Sequence, residues 1–254
     1  MKCNPTVKDI YDFIDSFAPF NAQCEWDNSG MIVGESFKTV NKIAVVLDIT
    51  PEAVKAAAEM KADLIVSHHP VIFRAVKHFT DNDPAFLLAK HGIAAICAHT
   101  SLDIAKGGVN DALATALGFE NTYALTESGE ASMVRVAEIN EISAESLAML
   151  CTEKLSTGVR LADCGNKIRK VALCGGAGAD FIEEVKNAGC DAYITGDVSH
   201  HEFLDAKALG LTLIAAGHFE TENPVVAVIA QKLKENFDIE IEIINQVSPV
   251  TYHI

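Results

Sequence analysis

The sequence of 254 residues lacks several features that would assign it to common classes of protein. It has no run of about 18 apolar residues, so no segment is expected to span a membrane. Its first residues lack the basic-then-apolar pattern of a signal peptide. The seven cysteines are scattered and form no CxxC pair. We therefore expect a cytoplasmic protein with reduced thiols, mostly in the core, and no zinc–thiolate site.

Positive charge is also scarce. The chain has 20 Lys and Arg against 35 Asp and Glu, for a formal net charge of −15. Such a surface repels phosphate backbones, which argues against nucleic acid binding by the outside of the protein. No GxxxxGK motif is present, which excludes a P-loop.

Two adjacent histidines, His68 and His69, follow the apolar run 62–66, which predicts a buried parallel strand, and Pro70 ends it. Ligands of open α/β sheets bind at the carboxyl ends of the strands. Because successive side chains of a strand point in opposite directions, two histidines at a strand end are suited to two neighbouring metal ions. The dipeptide alone is equally compatible with one histidine in a loop contact and the other in solvent.

The pattern of apolar strands and helices occurs twice along the chain. Lys42 begins a strand whose copy begins at Lys170, an offset of 128, and the strand before His99 resembles the one before His218, an offset of 119. We predict two intertwined, duplicated α/β units with mixed, largely parallel sheets flanked by helices. The soft boundary divides the chain into residues 1–125 and 126–254, and residues 239–243 alternate as a half-exposed edge strand.

Three helix starts carry capping signals. Thr6, with Asp9 three residues on, is expected to cap an amphipathic helix that ends at Phe17. Capping boxes predict a helix over 180–188, from Asp180 with Glu183, and a helix that ends at Gly210, from Ser199 with Glu202.

Polar side chains collect at the predicted strand ends. They are His68, His69, His99, Asp103, Asp197, His200, His201, His218, Glu220 and Glu222. Nitrogen and oxygen donors without cysteine suit Zn, Fe, Mn, Co or Ni. Two such ions about 3.5–4 Å apart need a bridging carboxylate and activate water for hydrolysis. His218 and Glu222 lie one helical turn apart. Asp103, which belongs to the first copy, could complete the coordination of one ion.

Other features have alternative interpretations. His200 and His201 begin a helix, where we expect at least one to face solvent, and the histidines at 78, 91 and 253 are expected at the surface. Trp26, the only tryptophan, lies in a polar turn and is expected to pack over a core edge, or else to wall a pocket. The glycine-rich run 175–180 follows a strand, but position 181 is Phe where a dinucleotide motif needs its third glycine.

Five ordered motifs resemble those of the Nif-three-like proteins, often labelled GTP cyclohydrolase type-two homologues. The motifs are WDNSG at 26–30, HHP at 68–70, HTSLD at 99–103, GGVND at 107–111 and GHFETE at 217–222. Asp197 stands where the family has Glu, and Phe219 stands where it has Tyr. The length is similar to the short form of the family, without an inserted domain.

The resemblance implies a site for two divalent metal ions. One ion would be held by His68 and Asp103, the other by His69 and His218, with Glu222 as the bridge. His99 would contact the metals indirectly or move protons, a role as well supported as a structural one. The resemblance also implies a ring-shaped homohexamer with the sites facing an internal cavity.

Two functions follow from these expectations. The first is a metal-dependent hydrolase, a cyclohydrolase or a phosphoester or amide hydrolase, that uses metal-activated water on a small molecule. The second is a non-catalytic protein that binds or delivers metal, or a ring-shaped scaffold for partner proteins. Nucleic acid threading through the ring would need a basic lumen, and the net charge of −15 argues against it.

Overall fold

The computed structural model describes residues 4–126 and 132–251. The chain forms two compact units: unit 1 is Met1–Lys106 with Val225–Val247, and unit 2 is Gly107–Pro224 with Ser248–Ile254. The boundary expected after residue 125 thus lies inside unit 2. The physical reason is that Leu113 and Leu117 are buried against Val171 and Leu173 of unit 2, so residues 107–125 fold with the later segment.

Strands and helices alternate through most of the chain. The strands are β1 (Gly30–Val33), β2 (Lys42–Val46), β3 (Leu64–Ser67), β4 (Ala94–Cys97), β5 (Tyr123–Ala124), β6 (Arg135–Ile142), β7 (Arg160–Ala162), β8 (Ile168–Cys174), β9 (Ala192–Thr195), β10 (Thr212–Ala215) and β11 (Glu240–Ile243). The helices are α1 (Val7–Phe17), α2 (Pro51–Glu59), α3 (Pro84–His91), α4 (Thr100–Ile104), α5 (Val109–Leu117), α6 (Ala144–Leu155), α7 (Ile182–Asn187), α8 (His200–Leu209), α9 (His218–Glu222) and α10 (Pro224–Asn236).

The sheet of unit 1 has the strand order β1-β4-β3-β2-β11. Strands β4, β3, β2 and β11 run parallel, and β1 is antiparallel to β4. The predicted edge strand at the end of the chain is therefore confirmed as β11, which pairs with β2. Its Glu240 and Glu242 both lie within ion-pair distance of Lys42, on the exposed rim.

The sheet of unit 2 has the order β5-β6-β8-β9-β10-β7. Strands β8, β9 and β10 run parallel, while β6 and β7 are antiparallel to their neighbours. The predicted α/β class with mixed, largely parallel sheets is confirmed.

Both faces of the second sheet are covered, which explains the continuous apolar strands. Val171 and Leu173 of β8 pack with helices α5 and α6, whereas Ala172 and Cys174 pack on the other face with α7 and α8. A strand buried on both faces loses the alternation of polar and apolar residues that a half-exposed strand keeps.

Helix starts follow the expected capping chemistry in two cases and depart from it in one. Thr6 and Asp9 form a capping box at α1, and Ser199 and Glu202 form one at α8. The capping box predicted for Asp180 with Glu183 is wrong. A 3₁₀ turn, Ala179–Phe181, occupies that stretch and α7 begins only at Ile182, so Asp180 lies inside the turn rather than before a helix.

The cysteines of the described chain carry free thiols. Four of them, Cys97, Cys151, Cys174 and Cys190, are buried, as core residues would be, while Cys3 lies outside the described residues. Burial raises the pKa of the Cys151 thiol to about 12, so this thiol is inert rather than reactive. Through residues 4–126 and 132–251, no helix combines the length and the apolar character needed to cross a membrane.

Candidate metal centre

Three histidines come together in unit 1 because parallel neighbours β3 and β4 end side by side. Ser67 pairs with Cys97 in the ladder, so His68 and His69 follow one strand where His99 follows the next. The ring centroids are 4.8 Å apart for His68 and His69, 5.2 Å for His68 and His99, and 5.5 Å for His69 and His99. Each ring offers a nitrogen within 4.8 Å of the other two, so the three could hold a metal ion.

Each of these rings has its Nδ1 atom next to an acceptor. Nδ1 of His68 lies 2.9 Å from the carbonyl oxygen of Ala98, and Nδ1 of His69 lies 2.7 Å from Oδ1 of Asp48. Since a carbonyl or a carboxylate can only accept, Nδ1 carries the proton, and the lone pair of the neutral ring is on Nε2. This is the arrangement by which outer carboxylates and carbonyls fix the tautomer of metal-binding histidines.

Asp103 lies in the first turn of α4, the short helix that His99 precedes. Its Oδ1 atom is 3.7 Å from Nε2 of His68, and both side chains are almost fully buried. Two atoms that bind one metal ion at about 2.0–2.2 Å lie roughly 3–4 Å apart. The spacing of these two atoms therefore fits a shared cation.

His99 is held by a network centred on Asp27. Nδ1 of His99 lies 2.8 Å from Oδ1 of Asp27, while Oδ2 accepts hydrogen bonds from the backbone and hydroxyl of Thr100 and from the hydroxyl of Ser29. Burial alone would raise the pKa of the Asp27 carboxyl, but the contacts with His99 and Thr100 lower it well below its usual value. Asp27 is thus a fixed anion that orients the His99 ring.

In unit 2, His218 and Glu222 occupy one face of the short helix α9. Nε2 of His218 is 3.1 Å from Oε2 of Glu222, and Nδ1 of His218 is 2.7 Å from Oδ2 of Asp197. The Nδ1 proton again belongs to the bond with the carboxylate, which places the Nε2 lone pair towards Glu222. Two lone pairs at this distance repel unless a proton or a cation lies between them, so the pair is suited to a cation.

Two glycines make room for this helix. Gly176 has φ +65°, and a Cβ at this position would collide with Oε1 of Glu222 and lie 3.3 Å from Nε2 of His218. A Cβ at Gly196 would lie 2.8 Å from Cα of His218. Gly176 therefore needs glycine because the functional side chains of α9 pass directly over it, and Gly196 needs glycine because backbone atoms, Cα of His218 among them, approach it closely.

The predicted metal ligands fall into one group within each unit. Unit 1 brings His68, His69 and Asp103 together with His99, and unit 2 brings His218 and Glu222 together. Their assignment to particular ions stays a prediction. His200 and His201 lie on α8, and both are exposed. His78 and His91 are exposed elsewhere in the chain, while His253 lies outside the described residues.

The sequence reasoning missed Asp48 and the partner roles of Asp27 and Asp197. Asp48 follows β2 in the same way as His69 follows β3, so the rule about carboxyl ends of strands could have found it. Its backbone is clamped by Gln246, whose side-chain oxygen accepts from the N–H groups of Leu47 and Asp48. Asp27 had no such signal, because it lies in a turn 72 residues before its partner histidine.

The expectation that Trp26 packs over a core edge is wrong. Its side chain is 61% exposed, and its ring contacts the rings of Phe73 and His99. The turn that carries Trp26 is fixed by the polar network around Asp27 rather than by burial of the indole.

The glycine-rich run 175–180 does not present a phosphate cradle. The backbone N–H groups of Gly175, Gly176 and Gly178 donate to side-chain oxygens of Asn110, Thr221 and Thr195. A dinucleotide motif instead directs such groups towards the pyrophosphate at the start of a long helix. The helix that follows here, α7, has only six residues.

Comparison with known proteins points to one family. The family model described as Duf34/NIF3 (NGG1p interacting factor 3) matches residues 5–249. A Clostridium perfringens protein named GTP cyclohydrolase 1 type 2 homolog is 36% identical over 248 residues, covering 94% of this chain and 95% of that protein. A protein of the same name from Clostridium acetobutylicum is 34% identical, covering 90% and 89%. The crystal structure of Staphylococcus aureus hypothetical protein SA1388 has a TM-score of 0.90 at 26% identity, covering 98% of this chain and 100% of that one.

Proposed function

Since the chain belongs to the Duf34/NIF3 (NGG1p interacting factor 3) family, we propose that it binds two divalent metal ions and hydrolyses a small molecule with their help. His68 and Asp103 would hold one ion, and His69 and His218 the other. Glu222 would bridge the two. The ions would be Zn, Fe, Mn, Co or Ni, since the donors are nitrogen and oxygen atoms without a thiolate.

The observation that carries this proposal is the shared geometry of the three proposed histidine ligands. His68, His69 and His218 each direct Nδ1 to an oxygen acceptor that belongs to the same unit, at 2.7–2.9 Å. These bonds fix the tautomer in which Nδ1 carries the proton and Nε2 carries the lone pair, as in metal-binding histidines. The free thiol of Cys97 is not a competing ligand, because its Sγ donates to the carbonyl oxygen of His68.

The metal ions, when bound, would supply Lewis acidity and lower the pKa of water near them. The residues of the chain would do the rest. His99, oriented by the Asp27 carboxylate, would accept or return a proton at Nε2. The reaction would be a ring opening or the hydrolysis of a phosphoester or amide, in keeping with the cyclohydrolase name that the relatives carry.

Metal content gives the first test. Protein purified without chelator should contain about two metal ions per chain by elemental mass spectrometry, and His69→Ala should lower this to one or none. His201→Ala is the matched control, because His201 is exposed on α8, and its metal content should equal that of the wild type. Equal metal content in both variants, or none in the wild type, would contradict the proposal.

Turnover separates the enzyme from its alternative, a protein that binds or delivers metal or serves as a scaffold. A screen of nucleotides, phosphoesters and cyclic amides with metal-loaded protein should find a substrate whose hydrolysis falls sharply in Glu222→Gln and in His99→Gln. The absence of a substrate, or hydrolysis that Glu222→Gln leaves unchanged and that therefore does not come from this site, would instead favour the non-catalytic function.

We also propose a ring-shaped homohexamer that works in the reducing cytoplasm. The proposed assembly is supported by the family membership. The proposed compartment is supported by the cysteine thiols of the described residues, which are free and mostly buried. Light scattering coupled to size-exclusion chromatography should give six times the mass of the 27.2 kDa chain. A monomer or dimer at micromolar concentration would contradict the assembly.

A further inference from the structure

Three rings of unit 1 meet nearly at right angles, and we name Trp26, Phe73 and His99 the aromatic corner. The ring centroids of Trp26 and Phe73 are 5.8 Å apart, and each lies 6.0 Å from that of His99. The interplanar angles are 66°, 73° and 84°. Edge-to-face pairs are a favourable arrangement of aromatic rings, so the three rings hold one another in place.

Burial does not explain the aromatic corner. Trp26 is 61% exposed and Phe73 is 42% exposed, whereas Phe20 of the same unit is only 4% exposed. A large aromatic side chain that served the core would gain most by being covered. Exposed aromatic groups that are rigidly held are instead typical of surfaces that bind something.

The support beneath the aromatic corner is rigid. Asp27, next to Trp26, is held by hydrogen bonds from Thr100 and Ser29 as well as from His99. The side chain of Asn28 donates to the carbonyl oxygen of Ile72, at 2.6 Å, which ties the Trp26 turn to the segment that carries Phe73. The rings are therefore ordered before any ligand arrives, and binding would cost little conformational entropy.

The size of the aromatic corner favours a small ligand over a protein partner. At these exposures the rings of Trp26 and Phe73 offer roughly 200–250 Å². A stable protein interface needs about 800 Å² from each side. A single planar ring, by contrast, needs only one exposed ring to stack on and can meet the second ring with its edge.

The position of the aromatic corner links it to the candidate metal centre. His99 belongs to both, since its ring also lies 5.2 Å from His68 and 5.5 Å from His69. A flat ligand stacked against the exposed indole would lie close to the imidazole group, whose ring centroid is 6.0 Å from that of the indole. We propose that the aromatic corner binds a planar heteroaromatic ring, such as a nucleobase, of the small molecule that unit 1 receives. Only the reaction after binding rests on the proposed function.

The single tryptophan makes the test direct, because all indole fluorescence comes from Trp26. Guanosine added to the whole protein should quench this fluorescence with a saturating curve, with excitation at the red edge of the indole band. Ribose 5-phosphate, which has no ring to stack, should leave it unchanged. Phe73→Ala should weaken guanosine binding by roughly 5- to 100-fold, the range expected for loss of one stacking side chain.

Controls separate stacking from other effects. Phe37→Ala removes a side chain that is 80% exposed in the same unit, and guanosine binding should not change. Phe73→Tyr should restore binding because it restores a ring, while Phe73→Leu should not. For Trp26→Ala, which lacks the fluorophore, calorimetry should show lost binding, and Trp26→Phe should recover part of it.

Several outcomes would overturn the inference. One is an absence of quenching by guanosine in the wild type. Another is equal binding by Phe73→Ala and the wild type. A third is a change of oligomeric state in Phe73→Leu with guanosine binding intact, which would assign the rings to a subunit interface.

Metal content measured on the same samples distinguishes this inference from the proposed function. The variants of Phe73 should retain the wild-type metal content, because Phe73 is not a proposed ligand. Guanosine binding in a protein without metal would uphold the aromatic corner and refute the metal proposal. A metal-loaded protein that does not bind guanosine would refute the aromatic corner and uphold the metal proposal.

Discussion

The two units share a backbone plan but place their acid–histidine pairs on different strands. Val46 pairs with Ser67 in unit 1 as Cys174 pairs with Thr195 in unit 2, so equivalent positions differ by 128. In unit 1, Asp48 after the first parallel strand supports His69 after the second. In unit 2, Asp197 after the second strand supports His218 after the third. The acid–histidine pair of unit 2 therefore lies one strand later than that of unit 1.

The third strand corrects the offset that we expected. Cys97 pairs with Ser67 and Ala215 with Thr195, which gives an offset of 118 rather than 119. His218 therefore corresponds to Thr100, the first residue of α4, and not to His99. The duplication preserved the strands and their carboxyl edge, while the donors on that edge diverged.

In unit 2, glycine occupies two positions at which unit 1 has a polar side chain. Gly176 is equivalent to Asp48, and Gly196 is equivalent to His68. In unit 2 the donors come from α9, which follows the neighbouring strand, and their side chains lie over Gly176, while the backbone at the start of α9 lies over Gly196. A side chain at either position would occupy the space of α9, so the shift of the pair and the appearance of glycine are one structural change.

The largest effect should follow when a side chain is introduced at Gly176. Gly176→Ala adds a Cβ that collides with Glu222, at a backbone angle of +65°. We expect the free energy of unfolding to fall by about 2–4 kcal/mol, with loss of bound metal, measured by urea denaturation and elemental analysis. Gly189→Ala is the matched control, because its φ is +73° but no atom lies within 4 Å of the added Cβ. It should cost only about 1 kcal/mol, and equal costs in the two variants would refute the crowding argument.

An intermediate effect should follow from the two supporting carboxylates. Asp48→Asn and Asp197→Asn remove the charge that fixes the ring of His69 or His218, and each should weaken metal affinity by about 10- to 100-fold. Competition with a chelator of known affinity would measure this. Asp15→Asn, which removes a carboxylate whose oxygen only accepts from the backbone of Phe20, is the control. If only one of the two variants weakened metal affinity, the carboxylate of the other unit would have no role in metal binding.

The smallest effect should come from a feature that both units kept. Oδ2 of Asp63 accepts from the backbone and side chain of Asn41, and Oδ2 of Asp191, at the equivalent position, accepts from the backbone of Arg169 and Lys170. Asp63→Asn should therefore lower the free energy of unfolding at neutral pH by about 1–2 kcal/mol.

The Asp63 variant also predicts a pH dependence. Burial alone would raise the pKa of the Asp63 carboxyl, but hydrogen bonds from Asn41 and the charge of Lys38 bring it below its usual value. A lowered pKa in the folded state means that the stabilisation is present above about pH 4 and is lost as the pH falls through the folded-state pKa. Urea denaturation from pH 7 to 3 should show the wild type and Asp63→Asn converging in acid. A constant difference would contradict the ionic origin.

Much of the fold was determined by the sequence alone, because it depends on local patterns. Apolar runs ending in polar residues located the parallel strands, and caps such as Thr6 and Ser199 located helix starts. The proposed donors could be named because each comes just after a strand or in the short helix that follows it, and parallel strands end at one edge of a sheet. The helix predicted from Asp180 begins only at Ile182, because a 3₁₀ turn takes the place of its first residues.

Only the tertiary structure decided which groups face each other. The pairing of Asp27 with His99 joins positions 72 residues apart, and Gln246 clamps Asp48 across 198 residues, contacts that no local pattern encodes. The exposure of Trp26 and the crowding at Gly176 likewise depend on which elements pack nearby. Short-range periodicity fixes where a strand ends, whereas the neighbours of a side chain at that end depend on packing of the whole chain.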